Sequence, residues 1–274
     1  MTKPKHWVQD DPGWKQRRAS FDRVAERYDS YRPGYPDELV EFVLSSSQLP
    51  PAGRILEIGC GTGIATRKFA SLGYSMVCVE PGANLAALAQ KRLGTGHQVS
   101  FEVSTFEDWS DGGQRFDLVL SAQAFHWIPT DIAYAKSARI LQPGGCLALV
   151  WNMYPDPQGT IWEEMRLIYD RLWPSKYEKR LTYLELAERR AEEIAGSGFF
   201  DPAQTGKFPW SETYTTERYL GLLSTYSDHI ALESEQRNKL FSAIEDLVES
   251  NDGQIEKPYV AYAYVALKRP GLLV

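Results

Sequence analysis

Three groups of residues in this chain could do chemistry. The segment ILEIGCGTG (residues 55–63) sets Gly59, Gly61 and Gly63 behind a short apolar run and ahead of a helical pattern. Glycine admits positive φ and lets a ligand touch the backbone. The helix that follows offers unpaired N–H groups to a polar or anionic ligand. Glu80 closes the next apolar run, where a carboxylate can accept both hydroxyls of a ribose. Glycine turn and carboxylate together imply an adenosine ligand. Gln123, Phe125, His126 and Trp127 follow a later apolar run. His126 is the nearby group that titrates near neutral pH, and it reads either as a base or as a polar wall. A dinucleotide turn would read GxGxxG. Ile64 stands where its third glycine belongs, which weighs against a nicotinamide cofactor.

These residues need elements to hold them. Apolar runs at 54–58, 74–79, 99–103, 116–120 and 146–151 read as strands, and helical patterns at 66–72, 84–93 and 132–141 lie between them. Continuous short apolar strands alternating with helices are the pattern of a parallel sheet covered on both faces. Pro143-Gly144-Gly145 is expected to stop the last of these helices. Upstream, residues 14–31 place Phe21, Val24, Ala25 and Tyr28 on one helical face. YRPGYP (31–36) breaks the chain before a second helix over 37–44. After Trp151 the alternation ends. Residues 160–195 read as two helices broken at Trp173-Pro174, 205–214 as a strand, 216–250 as helix in two pieces and 258–267 as a last strand.

Taken in order, ILEIGCGTG, VCVEPG (77–82), FDLVLSAQAFHWI (116–128) and ARILQPGGCLALVW (138–151) resemble the motifs of class I S-adenosylmethionine-dependent methyltransferases. The resemblance covers about residues 20–152. It is closest to the small-molecule branch that includes trans-aconitate methyltransferase and the ubiquinone-pathway enzymes, and FDRVAERYDSYRPGYP is similar to that branch as well. It implies an α/β Rossmann-like fold: a seven-stranded, mostly parallel sheet in the order 3-2-1-4-5-7-6, strand 7 antiparallel, with helical insertions around strand 6. It divides the chain into N-terminal helices over the cofactor site (1–53), a cofactor-binding core (54–152) and a substrate cap with strands 6 and 7 (153–274).

The resemblance also implies roles. Gly59, Cys60, Gly61 and Gly63 would pack on the methionine part of S-adenosylmethionine, with Glu57 orienting the loop. Glu80 would take the ribose hydroxyls and Pro81 would pack on the adenine. STFEDW (104–109) matches the segment that grips the adenine amino group. Thr105 stands where the family often has aspartate, leaving the Thr105 hydroxyl or the Phe106 backbone to serve. The Ser121 carbonyl would hold the cofactor's ammonium. Tyr28 and Arg32 would close over the cofactor, Arg32 either pairing with its carboxylate or standing as a surface charge. Gln123, His126, Trp127, Trp151 and Tyr154 are the expected acceptor wall, His126 also the candidate base. SAQA (121–124) replaces the NPPY-like stretch of enzymes that methylate planar amide or nucleobase nitrogens.

Composition narrows the partners. The net charge of −6 falls wholly on residues 153–274, and residues 1–152 balance. That disfavours a dedicated nucleic-acid surface, so no nucleic acid is expected as partner. No apolar run approaches a bilayer span and MTKPKHWVQDDPG lacks the apolar stretch of a signal peptide, so the expected place is the cytoplasm, away from membranes. Cys60, Cys78 and Cys146 lack CxxC spacing, and Cys78 and Cys146 read as packing residues. His6, His97, His126 and His229 are scattered, and no metal is expected. The leading function is methyl transfer to a small-molecule acceptor. An RNA or protein methyltransferase and a binding module that has lost catalysis are the alternatives.

Overall fold

A computed structural model describes residues 13–177 and 181–271. His6 and the rest of the N-terminal MTKPKHWVQDDP lie outside the described residues. Seven strands form one sheet: Arg54–Ile58 (β1), Ser75–Glu80 (β2), Val99–Val103 (β3), Phe116–Ala122 (β4), Leu141–Met153 (β5), Gln204–Thr215 (β6) and Gln254–Leu267 (β7). Their spatial order is β3-β2-β1-β4-β5-β7-β6, as the resemblance implied. β1 lies parallel between β2 and β4, and β7 runs antiparallel to both β5 and β6.

The strand pattern explains the layers. Leu56, Ile58, Val77, Val79, Val119 and Leu147 point to one face. Their sequence neighbours Ile55, Cys78, Leu118, Leu120, Cys146 and Ala148 point to the other. Successive side chains of a strand alternate across a sheet, so a run with no polar gap demands cover on both sides. Ile64–Ala70 (α4), Ala83–Leu93 (α5) and Thr130–Ile140 (α6) connect the parallel strands. α6 ends at Ile140, before the expected stop. Pro143, Gly144 and Gly145 instead loop out within β5, whose register against β4 shifts between Phe116 and Leu118. An extra stretch of backbone opposite one partner residue is what a bulge accommodates.

The N-terminal pattern is one face in sequence and several pieces in structure: Trp14–Ser20 (α1), a 3-10 turn over Phe21–Val24, Ala25–Tyr31 (α2) and Asp37–Ser47 (α3). Phe21 and Tyr28 still meet edge to face at 5.9 Å. The C-terminal half adds Thr160–Leu172 (α7), a 3-10 turn over Pro174–Tyr177 and Tyr183–Gly196 (α8) before β6. Thr216–Leu223 (α9), Ser227–Ile230 (α10) and Ser234–Glu249 (α11) follow it, three helices where two were expected. Met165, Tyr169, Tyr219, Leu222, Leu240 and Ile244 pack these helices into a core of their own, against Tyr214 and Tyr259 of β6 and β7. Among the described residues no helix is long and apolar enough to cross a membrane.

Candidate functional site

The glycine turn joins β1 to α4, and its three glycines answer three different demands. Gly59 has φ +68°, and a Cβ there would stand 2.4 Å from the Ala124 methyl beyond β4. Gly63 has φ +79° and a Cβ would press Ala89 of α5 at 3.2 Å. Gly61 has φ +56° but faces open space, with only the Tyr28 ring edge near, at 3.9 Å. Left-handed backbone selects glycine at all three; only Gly61 also leaves a cradle for a ligand.

Two carboxylates frame this turn. Glu80 ends β2 and is 6% exposed. Its Oε2 accepts the Gly61 N–H and its Oε1 the Gly82 N–H, each at 2.9 Å. Burial raises its pKa, and the two amide bonds pull against that rise. Glu57 is buried beneath the turn and accepts the Thr66 hydroxyl at 2.6 Å. Burial pushes it up to about 7. Ser121, at the end of β4, donates its hydroxyl to the Ile58 carbonyl at 2.9 Å, tying β4 to the start of the turn. Cys60 is buried, its thiol pushed well up by the hydrogen bond it donates to Cys78 and by burial. The Thr62 hydroxyl is buried and has no hydrogen-bond partner.

On the far side of Glu80, the turn after β3 is held by its own side chains. Thr105 donates to Asp108 at 2.7 Å and accepts the Asp108 N–H at 3.1 Å, so its hydroxyl is engaged locally. The Phe106 ring is buried and stacks on Trp109. Lys136 reaches over from α6 and donates to the carbonyls of Phe106, Glu107 and Trp109. Sequence reasoning missed Lys136, since nothing local marks a lysine whose partners are backbone oxygens of another element. Pro81 is exposed beside this turn.

The N-terminal segment straps across the crevice. Arg18 pairs with Glu107 at 2.7 Å and donates to the Trp127 carbonyl at 3.3 Å. Asp22 accepts the backbone N–H groups of Asn84 and Leu85 at the start of α5, a favourable place for a negative charge. Asp29 pairs with Arg92 at 2.6 Å and Arg67 at 3.6 Å. Arg32 lies between the Tyr28 and Tyr226 rings, 4.9 and 4.6 Å from their centroids. It donates to the Thr225 hydroxyl at 2.8 Å and the Thr225 carbonyl at 2.7 Å.

Beyond β4 and β5 lie the residues expected to meet an acceptor. Gln123 is a non-glycine residue at φ +59°, strain of a kind that concentrates at functional sites. Its side-chain amide donates to the Asn152 carbonyl at 3.1 Å. Gln123, Asn152 and Tyr154 line a cavity of about 20 Å³ with Tyr28, Arg32 and Tyr35. That is room for about one water molecule, so a larger guest enters only if the walls move apart. The other expected wall residues lie apart from this cavity. Trp151 is buried in the sheet core and donates its indole N–H to His126 Nδ1 at 3.2 Å. Trp127 packs edge to face on Phe21 at 5.7 Å. Tyr35 and Asn152 are walls that the sequence reading did not include.

An adenosine-bearing sulfonium amino acid asks for a carboxylate at the sugar, close backbone and polar partners. Glu80 at the end of β2, the open side of Gly61 and the partnerless Thr62 hydroxyl fit that demand. Residues 55–145 match a methyltransferase domain family. The chain is 27% identical to an uncharacterised methyltransferase of Mycobacterium bovis, over 90% of this chain and 93% of that one. It is 33% identical to a ubiquinone biosynthesis O-methyltransferase of Chelativorans over 34% of this chain and 38% of the relative. A solved S-adenosylmethionine-dependent methyltransferase of Thiobacillus denitrificans, in complex with S-adenosylhomocysteine, shares the fold. Its TM-score is 0.52 at 14% identity, over 91% of this chain and 97% of that one. The sheet order and the glycine turn are those of the class I S-adenosylmethionine-dependent methyltransferase fold, and residues 55–145 carry a methyltransferase domain.

Proposed function

We propose that the protein methylates a small-molecule acceptor enclosed between its sheet, its N-terminal strap and its C-terminal cap. The observation that carries this reading is the enclosure. Arg18, Asp22, Asp29 and Arg32 bind the strap to four separate places, and the pocket beneath is small and partly enclosed, a shape that suits a small acceptor better than a polymer. Residues 1–53 then serve as cover, 54–152 as the cofactor core and 153–274 as the acceptor cap.

When bound, S-adenosylmethionine supplies a methyl group already activated on a sulfonium sulfur. The protein's part is to position and to exclude water. Glu80 accepts the ribose hydroxyls with lone pairs left over from Gly61 and Gly82. The Gly59–Gly63 turn, with Cys60 in it, receives the methionine part, and Glu57 sets the turn through Thr66. The Ser121 carbonyl accepts from the ammonium. Pro81 and the Thr105–Phe106 turn meet the adenine, through backbone atoms since the Thr105 hydroxyl is engaged. Tyr28 closes over the turn. His126 stands off this cavity as a donor: the Trp151 N–H occupies its Nδ1, which keeps the neutral ring's proton on Nε2.

Two measurements test this. Glu80→Ala weakens S-adenosylhomocysteine binding by about tenfold or more, as calorimetry would read it; each tenfold is about 1.4 kcal/mol of lost recognition. Methyl-labelled cofactor incubated with a metabolite extract, RNA and protein places label in the low-mass fraction. Label in RNA or protein would overturn the small-molecule reading. Cofactor binding with no labelled product anywhere would favour an inactive module.

A further inference from the structure

Side chains anchor α2 of the strap to α9, α5 and α4, and the α4 anchor also grips the glycine turn. Tyr31 packs its ring on Gly221 of α9, so closely that a Cβ there would stand 2.6 Å from the ring. Arg92 of α5 pairs with Asp29 Oδ2 at 2.6 Å. Arg67 of α4 faces the other oxygen, Asp29 Oδ1, at 3.6 Å. The same nitrogen of Arg67, Nη1, donates to the Thr62 carbonyl at 3.0 Å.

That bond completes the fixing of one peptide unit. The Thr62–Gly63 peptide has its carbonyl on Arg67 at 3.0 Å and its N–H on the Cys60 carbonyl at 2.9 Å. A peptide satisfied at both ends turns only by giving up one of its bonds. The Thr62 side chain leaves from this unit, and its buried hydroxyl has no hydrogen-bond partner among the described residues. Arg67 therefore helps to set where that hydroxyl stands.

The Asp29 end is unfinished. Its side chain is 7% exposed, and Oδ1 accepts no hydrogen bond among the described residues. A carboxylate oxygen kept from water without a donor is costly. Arg67 is a cation that faces it. About 0.8 Å of approach would turn the 3.6 Å separation into a charge-assisted bond of about 2.8 Å. Asp29 follows Tyr28, whose ring edge lies 3.9 Å from where a Cβ on Gly61 would stand. What moves Asp29 moves the ring that covers Gly61.

We propose that Arg67 is a positioning residue for cofactor binding. Clasped between Asp29 and the Thr62 carbonyl, it makes closure of the strap and ordering of the glycine turn one event. This rests on the methyltransferase reading of that turn. Arg67 acts through the Thr62 peptide and α2, not on the reacting atoms. Linkage then runs both ways: a ligand that orders the turn tightens the strap, and a loosened strap weakens that ligand.

The test is binding of S-adenosylhomocysteine to the full chain, read by calorimetry. It compares wild type, Arg67→Met, Arg67→Lys, Asp29→Asn and the double variant Arg67→Met with Asp29→Asn. Wild type that binds none would refute the methyltransferase reading, and the clasp with it; the other outcomes bear on the clasp alone. Arg67→Met loses about tenfold in affinity, or about 1.4 kcal/mol, and Asp29→Asn about threefold. Arg67→Lys keeps the charge and loses less than Arg67→Met. The double variant binds as Arg67→Met does, within about twofold, because both changes open one clasp. 5′-Methylthioadenosine lacks the amino-acid half that the turn receives, so its affinity falls less than that of S-adenosylhomocysteine. At saturating S-adenosylhomocysteine, amide exchange over residues 25–31 slows in wild type and does not slow in Asp29→Asn. A merely structural role would lower the thermal midpoint and weaken both ligands alike. Four results would each overturn the proposal: unchanged affinity in Arg67→Met, additive losses in the double variant, equal losses for the two ligands, or full protection of α2 by ligand in Asp29→Asn.

Discussion

Glu57 makes stability depend on pH with a predictable sign. Its carboxyl is 1% exposed and burial holds it at about 7 instead of 4.5. In the unfolded chain the proton leaves near the lower value, and in the folded chain near the higher. Between them the folded state carries an extra proton, so raising the pH favours unfolding. The contribution is full below about pH 4.5, is lost as pH rises through about 7, and amounts to roughly 3 kcal/mol over the whole window. Glu57→Gln keeps the shape and an oxygen to accept the Thr66 hydroxyl, and removes the titration. Urea unfolding of both proteins across this range isolates the effect, because other groups contribute to both and cancel in the difference. Integrated over the interval, wild type loses about 2.5 kcal/mol relative to the variant between pH 5 and pH 8. A difference that stays flat within about 0.5 kcal/mol over that interval would refute the reasoning that burial, not the amide-rich turn above it, governs this carboxyl.

The glycine turn separates packing from binding. Gly59→Ala drives a methyl into Ala124 and is expected to lower the thermal midpoint sharply. Gly61→Ala meets no such clash and costs about 1–2 kcal/mol of left-handed strain, with its larger effect on S-adenosylhomocysteine affinity; the reverse ranking in calorimetry and melting would remove Gly61 from the cofactor cradle. Lys136→Met leaves three carbonyls without their ammonium. It is expected to cost roughly 2 kcal/mol in stability and to weaken S-adenosylhomocysteine binding while leaving kcat nearly intact. Unchanged affinity would show that the Thr105–Trp109 turn does not bear on the adenine.

What could be read from the sequence is what depends on neighbours in the chain. The strands of the parallel half fall within a few residues of the apolar runs, because burial on both faces permits no polar interruption. β5 is the exception, since pairing of Leu141 with Phe116 carries the strand back across the Pro-Gly-Gly stretch that local chemistry reads as a stop. The order of the sheet came from resemblance to a family, since parallel pairing leaves no local trace of which strand lies beside which. The glycine turn and the place of Glu80 at a strand end were legible because short runs of residues mark them, while the tie from Glu80 to the Gly61 N–H, across 19 positions, was not.

The inner cavity was half legible for the opposite reason. Tyr28, Arg32, Gln123 and Tyr154 could be nominated from their places after known motifs, but their partners are remote. Arg32 meets Thr225 across 193 positions, and Asn152 reaches Gly34 across 118. Trp151 and Trp127, nominated on the same grounds, turn instead to His126 and Phe21. Aromatic type alone does not separate a wall from a core. A guanidinium does carry such a signal, since an unpaired charge held off water must find a partner or be driven outward. Arg32 finds its partners in the Tyr28 and Tyr226 rings and in Thr225, an arrangement that no single stretch of sequence displays.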